Sequence, residues 1–501
     1  MPFFIPQLHL LSFIAAAPFF YIILGDTKKN IKYSVVFAAS FYLSVYIWFL
    51  WMYPMEQIGV TPFESLLIVT AAWIIFPVHQ TFVFMILPLG LKIINVKKLE
   101  NYSILITPAL CASLYIISEW VQSWFLSGLT WAKLAVSQYR DLFFIQSMSI
   151  LGTYFPAFII IFINAAVAVY ILKHKSRNAN ILIFACVIIY FANSYFGFFR
   201  LYFYDNNYEK ITAQIIQGNI SSYEKWEDRG LINALNIYRE LTEDYNIPEA
   251  DIAVWPETVI PTFVSPGGGL YNQLQNIARD NNITLFTGTF YSEIINGEEK
   301  NYNAVMAFGS EEAFTEPYAK QHLVPFGEYL PLEDILTDLF PFISNISLFN
   351  SKLTPGGGSR LMQINGVNYG GLICFDSIFP ELARKSAKDG ADILIIVTND
   401  SWFRDSSAIY QHNAQAVLRA VSNNRYIVRS ANTGISSFIS PTGKILQQTQ
   451  VYERTVITQE VGLVQGMTIY TRFGDIILYL SWAYVAFCAG LLVKRKNKFQ
   501  N

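Results

Sequence analysis

Long apolar runs separated by short basic loops fill the first two hundred residues, and then the pattern stops. Seven stretches, near 5–24, 32–53, 64–91, 103–119, 151–172, 179–198 and 474–493, are apolar almost throughout. Each approaches the roughly 20 residues that a helix needs to cross a bilayer. Between the sixth and the seventh lies a stretch of ordinary polar composition, 208–465. The pattern predicts a helical membrane bundle of about six spans over 1–207, a globular domain over 208–465, and a final span with a basic tail over 466–501. Inside the globular part the period changes, with short apolar runs alternating with amphipathic stretches. That is the signature of a β-rich α/β layer fold. Strands are expected in "KITAQIIQGNI", "DIAVWPE", "ITLFTGTF", "NYNAVMAFG", "VNYGGLICFD", "ADILIIVTND", "YIVRSANTGISSFIS" and "RTVITQEV", and helices over 228–244, 268–281, 379–389 and 406–424.

Composition agrees with a membrane protein. Hydrophobic residues make up 53% of the 501, and the mean hydropathy is +0.33. Loop charge then suggests an orientation, because short cytoplasmic loops are enriched in Lys and Arg. The basic segments "GDTKKNIK", "KIINVKKLENY", "KHKSRNAN" and "KRKNK" all fall on one side when seven spans alternate. The globular domain and the N-terminus are therefore expected outside the cytoplasm. No signal-peptide pattern opens the chain, since the first Lys or Arg is Lys28. A formal charge of −2 offers no attraction for nucleic acid.

Of the four cysteines, Cys111, Cys186 and Cys488 lie in apolar runs, which leaves Cys374 alone in the polar domain. A disulfide within that domain is excluded. Cys374 is then a small buried hydrophobe, as most free cysteines are, or a nucleophile. Reactive groups gather just past strand ends in open α/β sheets, and three strand ends carry suitable chemistry: Glu257 after "DIAVWP", Lys320 in "EPYAKQHLVPFGEYLP", and Cys374 after "YGGLI". Singly these read as a turn cap, a solvated lysine and a buried thiol. Together they supply a base, a cation and a nucleophile, the set that thiol-mediated acyl transfer requires. His322, two residues from Lys320, offers a rival Cys–His pair. "SPGGGL" and "TPGGGSR" lack the lysine of a phosphate loop and read as turns, and no metal-ligand cluster is legible.

"WPE", "KQHLVPFGEYLP" and "ICFDSIFP" resemble the Glu–Lys–Cys motifs of the nitrilase superfamily. With the flanking spans, the chain is identified as a member of the apolipoprotein N-acyltransferase family, the membrane-embedded branch. The segments "IIQGNI…EKW", "VTNDSWF", "QHNAQAVLRAVSNNRYIVRSANTGIS" and "SGLTWAKLAVSQ" match as well. The resemblance implies a nitrilase-like αββα sandwich standing on the membrane bundle, on the periplasmic side of a bacterial inner membrane. By motif, Glu257 would be the general base, Lys320 the oxyanion-stabilising cation and Cys374 the nucleophile. Glu328 would support the site, the Phe375 N–H would help bind the oxyanion, and Trp226 and Trp402 would line the substrate path. The implied reaction moves an acyl chain from a phospholipid, usually phosphatidylethanolamine, through a Cys374 thioester. The acceptor is the α-amine of diacylglyceryl-cysteine on an apolipoprotein. A monomer without cofactor or metal is expected.

Several positions depart from the family pattern. The family has eight spans and this chain begins near the second. Asp376 and Phe375 stand where many members carry Glu and Tyr, Gln122 where Arg is expected, and Ser422 where a glutamate is common. The apolar segment "DLFPFISNISLF", 338–349, reads as a lipid gate dipping toward the bilayer or as a helix packed in the core. Two rival functions use the same features. A membrane-anchored amidase or nitrilase would need the same three residues but not seven spans. A transporter or receptor would need charges along an intramembrane path, of which the spans contain few, with Glu64, His79 and Glu119 near span ends.

Overall fold

The computed structural model describes the chain except residues 1–2, 26–29, 57–58, 96–103, 125–127, 174–175, 205–206, 226–228, 245–249, 310–314, 326, 331–332, 340–352 and 501. It divides into two compact units, the first comprising Met1–Phe49, Thr70–Tyr204 and Arg472–Asn501, the second Leu50–Val69 and Asp205–Thr471.

The first unit is helical. Among the described residues, five helical stretches are long and apolar enough to cross a membrane: Pro6–Gly25, Asn30–Met52, Pro62–Ile93, Phe155–Leu172 and Arg177–Tyr202. The fourth apolar run forms a helix of 16 residues, Ile106–Val121, and the seventh opens the helix Ile476–Gln500. The 120–150 region is more than a loop, because the Asp141 carboxylate accepts from Phe144 N and starts a short helix there. Lipid removes the hydrophobic drive for helix association, so packing relies on close approach and polar contacts. Gly197 lies so near the Phe143 backbone that a Cβ would fall 1.8 Å from its carbonyl oxygen. Asn164 donates to Ser12 O (2.7 Å) and accepts from Ala16 N (2.8 Å). Gln122 donates to the Tyr42 hydroxyl (2.6 Å), and buried Glu119 accepts from Leu134 N (2.7 Å).

The second unit contains two sheets. Their strands are β1 (Lys210–Gln217), β2 (Ile252–Val254), β3 (Ile260–Phe263), β4 (Thr284–Ile295), β5 (Glu298–Phe308), β6 (Tyr318–Ala319), β7 (Leu361–Ile364), β8 (Val367–Ile373), β9 (Ile393–Thr398), β10 (Ile427–Ala431), β11 (Ser437–Ile439), β12 (Ile445–Gln448) and β13 (Thr455–Gly462). One sheet runs β13-β1-β2-β4-β5-β6 with β3 on β4, the other β12-β11-β10-β9-β8-β7. Strict alternation sorts the side chains. Ile211, Ala213, Ile215, Ile252, Val254, Phe286 and Val305 face the second sheet and meet Tyr369, Ile373, Ile393, Ile395, Val397 and Val428 there. The neighbours on the other side of the pleat, Ile216, Ala253, Leu285 and Met306, pack on helices Gly230–Asp244 and Gly269–Asp280. Helices Pro380–Lys388 and Ala408–Asn423 cover the second sheet. The result is the four-layer αββα sandwich that the resemblance implies.

The strands β3, β6, β7 and β12 were not expected. Each has four residues or fewer, too few for an alternation to register against turns. "YIVRSANTGISSFIS" is two antiparallel strands, with Ile427 opposite Ile439, because the polar centre "NTG" turns the chain. Parallel pairing of β8, β9 and β10, with Ile373 beside Val397, aligns their C-terminal ends. Cys374, Asn399 and Asn432 are therefore delivered to one edge.

Candidate active site

Glu257 sits in the turn after β2 and is buried. Gly288 on β4 lets that turn approach, since a Cβ there would lie 2.5 Å from Glu257 Cα. Glu257 Oε2 accepts from Asn399 N (2.9 Å), while Oε1 accepts from Asn303 Nδ2 (2.9 Å) and Lys320 Nζ (3.2 Å). Lys320 leaves β6 directly, its N–H held by Asn303 O at 2.8 Å, and its ammonium is almost wholly buried. It donates also to Glu328 Oε1 at 2.9 Å. Asn303 Nδ2 joins the same Glu328 oxygen at 2.8 Å, and Glu328 Oε2 accepts from Val324 N. Burial works against the Lys320 charge, but Glu257, Glu328 and Cys374 outweigh it and hold its pKa well above the usual lysine value.

Cys374 follows β8 with φ of +48°, a left-handed conformation that a side chain adopts at a cost. The residue is half-buried. The surrounding shell pushes its thiol pKa up, Glu257 adds to that, and Lys320 opposes it. The Thr398 hydroxyl is within hydrogen-bonding reach of the sulfur. The structure thus brings Glu257, Lys320, Glu328 and Cys374 into one cluster. Phe375 is buried beside Phe379, edge to face with ring centroids 5.1 Å apart. The His322 ring stacks on Phe379 at 4.0 Å, and among the described residues it makes no hydrogen bond to Cys374. Trp402 packs with Met52 and Ile68 against Met55, Val60 and Val69. Trp226 lies outside the described residues, as do 340–349 of the expected gate, whose first two positions end the helix Glu333–Leu339.

Asp376 gathers four donors: the Tyr318 hydroxyl (2.9 Å), His322 N (2.9 Å), Ile373 N (3.2 Å) and Gln321 N (3.4 Å). It ties the lysine-bearing segment to the strand that carries the thiol, and burial pushes its carboxyl up to about 6. Ser422 is buried, its hydroxyl donating to Arg419 O. Sequence reasoning missed Asn303 and Lys225. Asn303 is a polar residue inside the apolar strand β5, a signal that was available. Buried Lys225 donates to Glu257 O (3.4 Å) and to the Thr258 hydroxyl, and burial brings it down to about 8.

The raised thiol has a direct consequence. Alkylation of Cys374 by iodoacetamide in the resting protein should keep accelerating through pH 9, without the plateau near neutrality that a pre-formed thiolate gives. A plateau below pH 8 would mean that the sulfur is already ionised.

Comparison with known proteins bears on the same regions. The family model described as Carbon-nitrogen hydrolase matches residues 212–466, and that described as Apolipoprotein N-acyltransferase N-terminal domain matches 1–166. The apolipoprotein N-acyltransferase of Geobacter metallireducens is 30% identical over 77% of this chain and 74% of its own. That of Haemophilus ducreyi is 30% identical over 79% and 77%, and that of Rickettsia prowazekii 29% over 74% of each. Among solved structures, Saccharomyces cerevisiae Nit3 is similar at 21% identity, over 55% of this chain and 94% of that one, with a TM-score of 0.40.

Proposed function

The chain belongs to the apolipoprotein N-acyltransferase family, and from that premise we propose that Cys374 carries the acyl group between donor and acceptor, with Glu257 as base and Lys320 as oxyanion partner. Family membership makes the chain an acyltransferase of lipoprotein maturation and a multi-pass membrane protein. In the first half-reaction Glu257 takes the Cys374 proton as sulfur attacks an ester carbonyl of a phospholipid. The C–S bond forms, the carbonyl oxygen becomes an oxyanion beside the Lys320 ammonium and the Phe375 N–H, and the ester C–O bond then breaks. Glu257 returns the proton to the departing alkoxide, which leaves as a lysophospholipid. In the second half the α-amine of a diacylglyceryl-cysteine attacks the thioester. The C–N bond forms, C–S breaks, and the amine proton passes through Glu257 back to sulfur.

The single observation that carries this reading is the buried Lys320 ammonium, 3.2 Å from Glu257 and 2.9 Å from Glu328, with its charge and that of Glu257 both acting on the sulfur. A thiol that is protonated at rest, with a carboxylate nearby, suits an enzyme whose base acts only when an electrophile arrives. Glu328 and Asn303 hold the lysine and the base in register. The proposed setting is a bacterial inner membrane with the sandwich on the periplasmic side, phosphatidylethanolamine as donor, and a monomeric enzyme.

An amidase on the same three residues would release ammonia. Incubation of the purified protein with phosphatidylethanolamine and no acceptor should leave one acyl mass on the Cys374 peptide and an equimolar lysophospholipid. Ammonia released from simple amides, with Cys374 never acylated, would overturn the transfer reading.

A further inference from the structure

Against the main chain of Cys374 lies a buried polar chain that the reaction above does not use. Asp400, in the turn after β9, accepts from Arg429 Nη2 (2.8 Å) through one oxygen and from the Thr398 hydroxyl (2.8 Å) through the other. His412, on the helix Ala408–Asn423, sets Nδ1 2.9 Å from Asp400 Oδ1. Its Nε2 reaches the Cys374 carbonyl oxygen (3.2 Å) and Ser377 Oγ (3.0 Å), and the Ser377 hydroxyl donates to the same carbonyl at 2.7 Å. Asp400 Oδ1 and the Cys374 carbonyl oxygen both only accept, so in this arrangement the ring donates at both ends, from Nδ1 to the carboxylate and from Nε2 to the carbonyl. Asp400, Arg429, His412 and Ser377 are all fully buried. Burial alone would raise the Asp400 carboxyl, but Arg429 and His412 outweigh it and hold the group well below the usual carboxylate range.

We infer that His412 and Ser377 form a positioning clamp for the oxyanion-binding peptide, with Asp400 and Arg429 as its fixed base. The peptide linking Cys374 to Phe375 is planar and trans, so its C=O and N–H point in opposite directions. Two donors seizing the carbonyl from behind aim the Phe375 N–H forward, toward the carbon that sulfur attacks. They also polarise the peptide, which makes that N–H a stronger donor. The same two bonds hold Cys374 at its positive φ, where an unclamped residue would relax and swing the N–H away. This inference rests on the proposed roles of Cys374 and the Phe375 N–H.

The chemistry supplies a test that separates positioning from general damage. Acylation of Cys374 by a phospholipid passes through a tetrahedral oxyanion, whereas alkylation by iodoacetamide is a displacement at carbon that forms none. Ser377→Ala removes one donor and little volume. In single-turnover reactions with saturating phosphatidylethanolamine it should slow thioester formation about 10- to 100-fold, less than the loss of about 100- to 1,000-fold for an oxyanion donor itself, because the Phe375 N–H remains and only its aim is loosened. Half-saturation by lipid, the melting temperature and the alkylation rate should stay within about twofold. His412→Leu should lose more, about 100- to 1,000-fold, and His412→Gln, which keeps a side-chain N–H, should recover part of that. Wild-type acylation rates in folded Ser377→Ala would overturn the clamp, and so would equal losses in acylation and alkylation. Absence of any acyl mass on wild-type Cys374 would instead sink the transfer reading.

Discussion

Cys374→Ala is expected to lose N-acylation of apolipoprotein by about ten-thousand-fold or more, because removing a covalent nucleophile leaves only binding and electrostatic stabilisation. Fold and lipid binding should survive. Cys374 lies at the margin of the inter-sheet core, packed against it without being part of it, and alanine relieves neither the clamp on its carbonyl nor the contacts of Asp376. The measurement is twofold: the acyl mass on the 374 peptide after incubation with phospholipid, and complementation in a bacterium depleted of its own enzyme. Restored growth with N-acylated lipoproteins would remove the sulfur from the mechanism and leave the buried cluster without its proposed purpose.

Lys320→Met is expected to harm the fold as well as the chemistry. The ammonium is held by two carboxylates at 3.2 and 2.9 Å in a site from which water is nearly excluded. Deleting one partner of such a buried set leaves uncompensated charge, a loss of about 3–5 kcal/mol. The sign of the pH dependence follows from the raised lysine pKa. A cation whose folded pKa exceeds its unfolded value stabilises fully below the unfolded value, near 10.4. That stability is lost only as pH rises through the folded value, so the whole penalty should be visible at pH 7. Thermal unfolding of the sandwich in detergent would register it. Adding Glu328→Gln should recover part of the stability, since one of the two stranded charges is then gone. It should recover none of the activity. Equal stability of Lys320→Met and the wild type would mean that water or a side-chain movement neutralises the two glutamates.

The layer fold was legible because both of its periods are local. A short continuous run of β-branched and apolar residues in "ADILIIVTND" marks β9, which is buried on both faces, and helical spacing marks 230–244, 269–280, 380–388 and 408–423 to within two residues of the expected ends. The polar strand ends were legible too, because a carboxylate, an ammonium and a thiol are conspicuous where apolar runs stop. The helix Ala408–Asn423 shows what such reading overlooks. Its sequence carries Gln411, His412, Asn413, Gln415 and Arg419, which by composition alone form a solvated face, and every one of them is buried. Their partners, among them Asp400, Cys374 and Ser437, arrive from other elements. Asn303 escaped notice for a related reason, since one amide within an apolar strand says nothing about which two carboxylates it will bridge.

By itself the sequence determined where the chain is apolar enough for lipid, that an α/β domain follows the N-terminal apolar helices, and that a carboxylate, an ammonium and a thiol stand at the ends of apolar runs. Those properties depend on residue type and short-range period, which the linear order carries directly. Only the tertiary structure decided that Glu257 and Glu328, 71 positions apart, close on one lysine, and that burial pushes the Cys374 thiol pKa up. It also decided that His412, 38 residues downstream, sets its Nε2 3.2 Å from the Cys374 carbonyl oxygen. The parallel register of β8, β9 and β10 and the crowding of Gly288 against Glu257 set those distances. Burial and the charges of partners brought from elsewhere in the chain then shift the pKa values, and neither is a property of any local segment.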